Sequence, residues 1–535
     1  MSQLFAGLDV STQSCKVVVI DFDTEDVVYV DLVSYDDDLP EYRTRGGVIQ
    51  RLPEGVSESD PAMWLAAVDR IFDKLERSDV PQKDILSISV SGQQHGLVAL
   101  DRTGNLARPT SKLWNDHSTD EECRILTERF GGADAMIDEV GNSQRTGYTA
   151  AKIFHMVRHE PELFERAATL FLVHNYVNWY LTGGVVAMEP GDTSGTALWN
   201  PSTGEFSSLV ANAIHPNLLS KLPKVRPSTA SIGNISPALA VRFGFSADCT
   251  IDAGSGDNMY GAVGTGNVEP GIVTVSLGTS GTAYTFIEEP YIDPEGEIAA
   301  FCDSTGHFLP LLCVSNLANG YDEVLRRFDL THEQFNEIIG RTPPGNEGCL
   351  LIPWYAGERT PDLPQASPLY FGFPLDGFDR NRVCRAVLEG HVLNLCTGFR
   401  RMPVEVREIR LTGGLSRSEA WCQMIANVFD ADAVPVEGEG AALGAALHAA
   451  WVWHEERREG VPLQQIVQRF VKLDEGRRRT PDSRSRAVYR QQKRLFEALS
   501  RRVRGLSASD PFRLRAEMMK DPTDPGARDR RDLRD

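Results

Sequence analysis

The sequence is short of the features that mark several large classes of protein. Its nine cysteines are an odd number and include no Cys-x-x-Cys pair, which argues against a disulfide frame and a zinc site. Cys15, Cys302, Cys313 and Cys349 stand among apolar or small residues, as buried thiols in a reducing compartment do. No apolar stretch is long enough to cross a bilayer. No basic leader precedes Asp9, so a signal peptide is not expected and a cytoplasmic enzyme is the default. Positive charge is scarce: 55 Lys and Arg face 75 Asp and Glu, for a net charge of -20. A chain of that sign repels nucleic acid and anionic membrane, so neither is an expected partner. The Gly-Lys-Ser ending of a Walker loop is missing from the Ser/Thr-rich loop after Asp9. With 535 residues, 41% of them apolar, the chain is a globular protein too long for one core, with two domains or three.

What is present centres on Ile251 to Gly266, IDAGSGDNMYGAVGTG. This stretch offers one carboxylate, Asp257, beside one amide, Asn258, between glycines and a run of small residues. Gly254 and Gly256 permit a close approach of backbone to ligand. A carboxylate at the mouth of a helix there is placed to accept a proton. The plain alternative is that Asp257 only caps the helix.

The N-terminus reads as strand, polar loop, strand, turn and strand through Val33. In the loop from Asp9 to Ser14, backbone N–H groups and the hydroxyls of Ser11 and Thr12 can cradle phosphate oxygens, and Asp9 can hold a metal through water. An ordinary hairpin is the alternative. Tyr35 to Gly55 is polar and reads as an irregular insertion. Asp60-Pro61 opens a helix with an apolar stripe through Trp64, Ala67, Val68, Ile71, Phe72 and Leu75. The strand from Ile85 to Val90 delivers Gln93, Gln94 and His95 at its carboxyl end, where ligands of open α/β sheets gather. Trp114 and Asp116, in LWNDH, suit the faces and hydroxyls of a polyol or sugar. Arg145 can reach the same cleft from just before a helix over 151–160, in which Lys152 reads as structural or surface. Periodicity does not decide between strand and helix over Phe171 to Thr182.

Further on, the strand from Val273 to Leu277 feeds GTSGT. Its layout matches LDVSTQSCKVVVI near the N-terminus, so the two pieces read as a repeat, with a loop from each of two related domains facing a shared cleft. Gly278, Thr279 and Ser280 form a second phosphate cradle. Glu358 and Arg359 read as an ion pair in a turn or as a cleft rim. His391 falls on the apolar stripe of a helix over 383–399 and reads as packed. Gly413-Gly414 follows a strand and lets a flat ring such as adenine lie on the backbone. Ser416 and Glu419 have capping-box spacing. From Ser507 onward the composition predicts a loosely held tail.

GLDVSTQ, LWND, GYTAAK, GSGDN, SLGTSGT, GERTP and GGLSRSEAW follow one another between Leu4 and about Glu475. As an ordered set they resemble the FGGY family of carbohydrate kinases, and within it the branch that phosphorylates xylulose. The resemblance implies an α/β fold of two actin- and hexokinase-like (ribonuclease H-like) domains around a deep cleft. A sugar-binding domain would cover 1–268, a nucleotide-binding domain 269–480, and a helix with a polar tail 481–535. It implies ATP and Mg²⁺, a sugar acceptor (D-xylulose, converted to its 5-phosphate) and a homodimer. By the same resemblance Asp257 is the general base, and Asn258, Gln94, His95 and Arg145 lie at the sugar. Asp9 is linked to Mg²⁺, Ser11 and Thr12 lie in the first phosphate loop, and Gly278, Thr279 and Ser280 form the second. Gly413, Gly414 and Ser416 border the adenosine. QQHG in place of the MHG of short bacterial members, the Asp31–Gly55 insertion and the long C-terminus resemble a longer subgroup. Rival readings are a family kinase for ribulose, glycerol or gluconate, and an actin-like ATPase, which has no need of His95, Asp116 and Asp257. A sugar-binding regulator is a third, and the intact Asp257 speaks against it.

Overall fold

Alternation along the first two strands sorts their side chains between two cores. Leu4, Ala6, Leu8 and Val10, with Cys15, Val17 and Val19, pack against the helices Pro61–Glu76 and Val173–Thr182. Phe5, Val18 and Ile20 point the other way, into a cluster with Ala442, Leu443, Ala446 and Phe470. This is the two-residue period of a strand with both faces covered. The computed structural model describes residues 2–355, 357–375, 377–438 and 440–519. Among them no helix is long and apolar enough to cross a membrane.

The chain divides into two compact units. The first comprises Met1–Ile272, Tyr284–Leu311 and Glu437–Lys472; the second comprises Val273–Ala283, Leu312–Val436 and the chain from Leu473 onward. The sheet of the first unit runs Ser231–Asn234, Thr250–Asp252, Ile85–Gly92, Leu4–Val10, Ser14–Asp21, Asp26–Ser34. Leu4–Val10 pairs parallel with Ile85–Gly92 and antiparallel with Ser14–Asp21. Ser255–Gly256 extends the other edge of Ile85–Gly92, also parallel. The helix Gly440–Glu456 lies against this sheet and against Asp257–Gly264. Glycine is required at that crossing, because a Cβ on Gly444 would overlap the carbonyl oxygen of Tyr260.

The second unit is built on a six-stranded sheet in the order Leu311–Val314, Gly281–Thr285, Ile272–Leu277, Glu408–Thr412, Asp432–Glu437, Lys472–Leu473. The helix Arg380–Phe399 is buried along most of its length. His391 sits inside it with Nδ1 on the Val387 carbonyl, and burial pushes its pKa down to about 4. It is a packed residue.

Several expectations change. Phe171 ends a short strand, and Val173–Thr182 is a helix. The Ser416–Glu419 capping box does not form. Ser416 lies in the 3-10 turn Gly414–Arg417 with its hydroxyl on the Gly413 carbonyl, and Ser418 is the N-cap of the next helix. Glu358 is no turn ion pair. It is buried and accepts from the backbone N–H of Ser315 and Arg359 and from the amides of Asn316 and Asn394. The tail also differs: Asp510 caps a helix, Pro511–Met518, that docks on the second unit. Arg515 donates to the carbonyls of Gly348 (3.1 Å) and Gly372 (2.8 Å), and Phe512 packs on Phe371. The stretch from 520 to 535 lies outside the described residues.

Candidate active site

Strand register brings the carboxylates of the first unit together. Asp9 pairs across to Ser91, and Ser91 pairs across to Ser255. The ends of three parallel strands therefore release Val10 and its loop, Gln93–His95, and Asp257 at one edge of the sheet. Asp257 is the first residue of the helix Asp257–Gly264, with Gly256 as N-cap. It is thus not the cap. It keeps some accessible surface while lying deep among protein atoms. Burial pushes its pKa up to about 8, with help from Asp9 and then Asp192 and against backbone hydrogen bonding. Burial also raises Asp9, to about 6, against the Ser91 hydroxyl (2.8 Å) and the Lys16 charge.

Asn258 links the base to the Gln94 loop. Its Nδ2 donates to Asp257 Oδ1 (3.1 Å) and to Gln94 Oε1 (2.7 Å). That bond fixes which way the Gln94 amide faces. Gln94 Nε2 is left buried with no hydrogen-bond partner among the described residues, a donor waiting for an acceptor such as a sugar oxygen. His95 holds a left-handed backbone at φ 66, a conformation that costs of order 1–3 kcal/mol in a residue with a side chain. Its carbonyl is pinned by Lys152 Nζ (2.7 Å) and Thr149 Oγ1 (3.2 Å). Its ring packs on Tyr148 and faces Gly195, where a Cβ would lie 2.6 Å from the imidazole. Lys152 is fully enclosed, and burial brings its pKa down to about 7 against the pull of Asp116. It positions His95. Arg145 is aimed by Ser143, whose hydroxyl accepts from its Nε (2.9 Å) and donates to the Gly296 carbonyl.

Asp116 does not stand open to a sugar. It is fully buried, and its oxygens accept from the Ser57 backbone N–H (2.9 Å), from both the N–H and the hydroxyl of Ser118, and from Lys112. Trp114, in the same stretch, keeps accessible surface and donates to Thr12 Oγ1 (2.9 Å). Thr12 thereby joins the first loop to LWNDH. Ser11 closes that loop on itself, with its hydroxyl donating to the Ser14 carbonyl (2.9 Å).

Sequence reasoning missed two buried networks behind the base. Glu189 accepts from the N–H groups of Gly191 and Asp192 and from the hydroxyls of Ser228 and Ser255. It thereby holds the turn on which Asp192 faces His174 (3.2 Å). His448 sits between Asp252 (2.9 Å) and the Ser304 carbonyl (2.7 Å) and contacts Tyr260, on the helix that begins with Asp257. Glu189 and Asp192 stand close in sequence, but Ser228 and Ser255 do not. Partners 196 residues apart, as Asp252 and His448 are, leave no local signal.

In the second unit, Thr279 and Ser280 are exposed at the end of Ile272–Leu277. The carbonyls of Gly278 and Thr279 accept from the N–H of Ala318, which starts the helix Ala318–Phe328. Gly413 has φ 84 and lies against the Leu277 carbonyl, 2.6 Å from where its Cβ would be. Gly414 has open space beside it. The second loop and the Gly413 turn are therefore neighbours, and Ser416 is committed to the Gly413 carbonyl.

Similarity to known proteins runs through both halves of the chain. Residues 4–264 match the N-terminal domain and residues 273–453 the C-terminal domain of the FGGY family of carbohydrate kinases. A xylulose kinase of Haemophilus influenzae is 33% identical over 492 residues, covering 90% of this chain and 96% of its own. A xylulose kinase of Streptomyces coelicolor is 33% identical over 84% of this chain and 87% of its own. The crystal structure of xylulose kinase from Bifidobacterium adolescentis is similar with a TM-score of 0.78 at 26% identity, covering 92% of this chain and 99% of that one. With both halves matched in order and a relative aligned over nine-tenths of its length, the chain belongs to the FGGY family of carbohydrate kinases.

Proposed function

We propose that this kinase transfers the γ-phosphoryl group of ATP to a hydroxyl of D-xylulose, giving D-xylulose 5-phosphate. The observation that carries the reading is the line Asp257–Asn258–Gln94, which ends in a buried amide donor with no partner among the described residues. The named relatives support the choice of sugar. A sugar hydroxyl is a weak nucleophile, and Asp257 takes its proton as the phosphoryl group moves. A pKa near 8 makes Asp257 a stronger base than a solvated carboxylate, provided it is ionised when the sugar is in place. Gln94 and His95 orient the sugar, with Lys152 and the Glu189 turn holding them in position. Arg145 and Asn258 complete the sugar contacts in this reading.

Asp9 would hold Mg²⁺. A hard carboxylate oxygen in an enclosed site beside Asp257 suits that ion, and Mg²⁺ bound with ATP supplies neutralising charge to the phosphate oxygens. Ser11 and Thr12 serve the phosphates from the first unit. Gly278, Thr279 and Ser280 serve them from the second, with Gly413, Gly414 and Ser416 along the adenosine. On this reading the sugar domain is 1–268 together with Tyr284–Leu311 and Glu437–Lys472, and the nucleotide domain is the rest of 269–480. A cytoplasmic setting and a homodimer complete it.

The test is kcat/KM for D-xylulose, D-ribulose, L-ribulose and glycerol with coupled ADP detection. A site that pairs each hydroxyl discriminates sharply against a sugar that leaves one polar group unpaired. Equal or better use of another member of the panel removes the xylulose assignment. ATP turnover indifferent to every sugar removes the acceptor site itself.

A further inference from the structure

On the helix Thr149–His159, His155 and His159 are one turn apart, with ring centroids 4.6 Å from each other. Both face Glu122, on the helix Asp120–Phe130. His159 Nε2 lies 3.0 Å from Glu122 Oε1, and His155 Nδ1 lies 3.6 Å from Oε2. Among the described residues this is the group of three potential ligands whose donor atoms all fall within 4.8 Å of one another. We propose that Glu122, His155 and His159 bind a divalent transition ion of the zinc class, remote in role from the Mg²⁺ that accompanies ATP.

Ligand atoms around a tetrahedral zinc stand about 3.3 Å apart, given bonds near 2.1 Å. Two of the separations here already fall close to that. Two imidazoles and one carboxylate form a donor set for zinc, nickel or copper, whereas magnesium takes oxygen. His155 Nδ1 is buried with no hydrogen-bond partner among the described residues, so its lone pair is not engaged elsewhere.

Arg158 is the competitor. Its Nη1 lies 2.5 Å from Glu122 Oε1, but it also reaches Glu121 at 3.3 Å and is partly exposed. An ion taking Glu122 leaves the guanidinium a second carboxylate. The site joins two helices of the first unit, and the opposite end of one of them supplies Thr149 and Lys152 to the His95 carbonyl. An ion there would brace the support of the sugar loop.

The test uses the full-length enzyme without nucleotide. Zinc binding is measured by competition with a chelating dye, cobalt binding by its visible absorption, and stability by thermal melting. The wild type is expected to bind one more zinc than the His155→Gln/His159→Gln double variant, with a zinc-dependent rise in Tm that the variant lacks. His159→Gln alone, at a half-exposed position, is expected to weaken zinc roughly tenfold or more while leaving turnover with Mg²⁺ unchanged. Arg158→Gln removes the competitor without touching a ligand and is expected to tighten binding. Equal zinc stoichiometry in wild type and double variant overturns the proposal, as does Arg158→Gln binding zinc no more tightly than wild type.

Discussion

The loop at Asp9–Ser14 is tied down from several sides, whereas the loop at Gly278–Gly281 leaves its hydroxyls exposed. In the first loop, the Ser11 carbonyl accepts from Gln93 Nε2 (3.3 Å) and from the Tyr35 hydroxyl (3.2 Å), and Thr12 accepts from Trp114. In the second, the carbonyls turn to a helix start and Thr279 and Ser280 are open. The first also carries a carboxylate at its root; the second carries none. A loop that positions a charge is held by side chains. A loop that wraps a flexible polyphosphate needs only its backbone set and its hydroxyls available. On the proposed reading, similar sequence layouts serve different duties: the first loop adds a metal-holding carboxylate to its phosphate contacts, and the second serves the nucleotide alone.

That contrast can be broken most directly at the base. Asp257→Asn should fold, as judged by circular dichroism, and lose about 10²- to 10⁴-fold in kcat, with sugar and ATP binding retained. A well-folded variant with near-normal kcat removes the central assignment. In the wild type, kcat/KM should rise with pH and level off above about 8, because the free enzyme must lose the Asp257 proton. Stability carries the opposite sign. The contribution of protonated Asp257 is full below its unfolded value, near 3.8, and is lost as pH rises through about 8. Melting curves across that window should show Asp257→Asn gaining on the wild type toward alkaline pH.

Asp9→Asn should cost less, roughly 10- to 100-fold, and higher Mg²⁺ should restore part of it. A loss indifferent to Mg²⁺ would detach the first loop from the metal. Thr279→Val should raise the KM for ATP about tenfold, the worth of one hydrogen bond to a charged oxygen, with sugar affinity measured by calorimetry unchanged. If sugar affinity alone fell, the division of labour between the loops would be reversed. The smallest effect is expected at the C-terminus. Deleting 507–535 should cost on the order of 2 kcal/mol through the lost Arg515 contacts and lower Tm by a few degrees, with kcat untouched. An unchanged Tm would show the docked helix to be idle.

Much of this was legible because it is local. The alternation in Leu4–Val10 and Ser14–Asp21, the stripe on Pro61–Glu76 and the strand that delivers Gln94 and His95 each rest on a run of neighbouring residues. Asp257 was legible as a carboxylate between glycines. What escaped depends on distant partners. Asp116 has the chemistry of a sugar contact, and only the fold shows Ser57 and Lys112 already on it. Lys152 reads as structural or surface, and only the fold decides for structural, by placing the His95 carbonyl on it. The tail helix is the exception. Asp510-Pro511 is the same start signal as Asp60-Pro61, and a charged composition obscured it.

The return of Glu437–Lys472 to the first unit sets a timetable for synthesis. Phe5, Val18 and Ile20 emerge from the ribosome early, yet residues that cover them, Ala442 to Phe470, are made only after most of the second unit. Through that interval one face of the nascent sheet has no permanent lining, and a chain stopped anywhere before about residue 470 presents it to other proteins. Exposed apolar faces of that kind drive aggregation of partly made chains. A premature stop late in the gene would therefore be more harmful than the loss of its last residues suggests, and the isolated segment 1–272 is a poor candidate for separate expression.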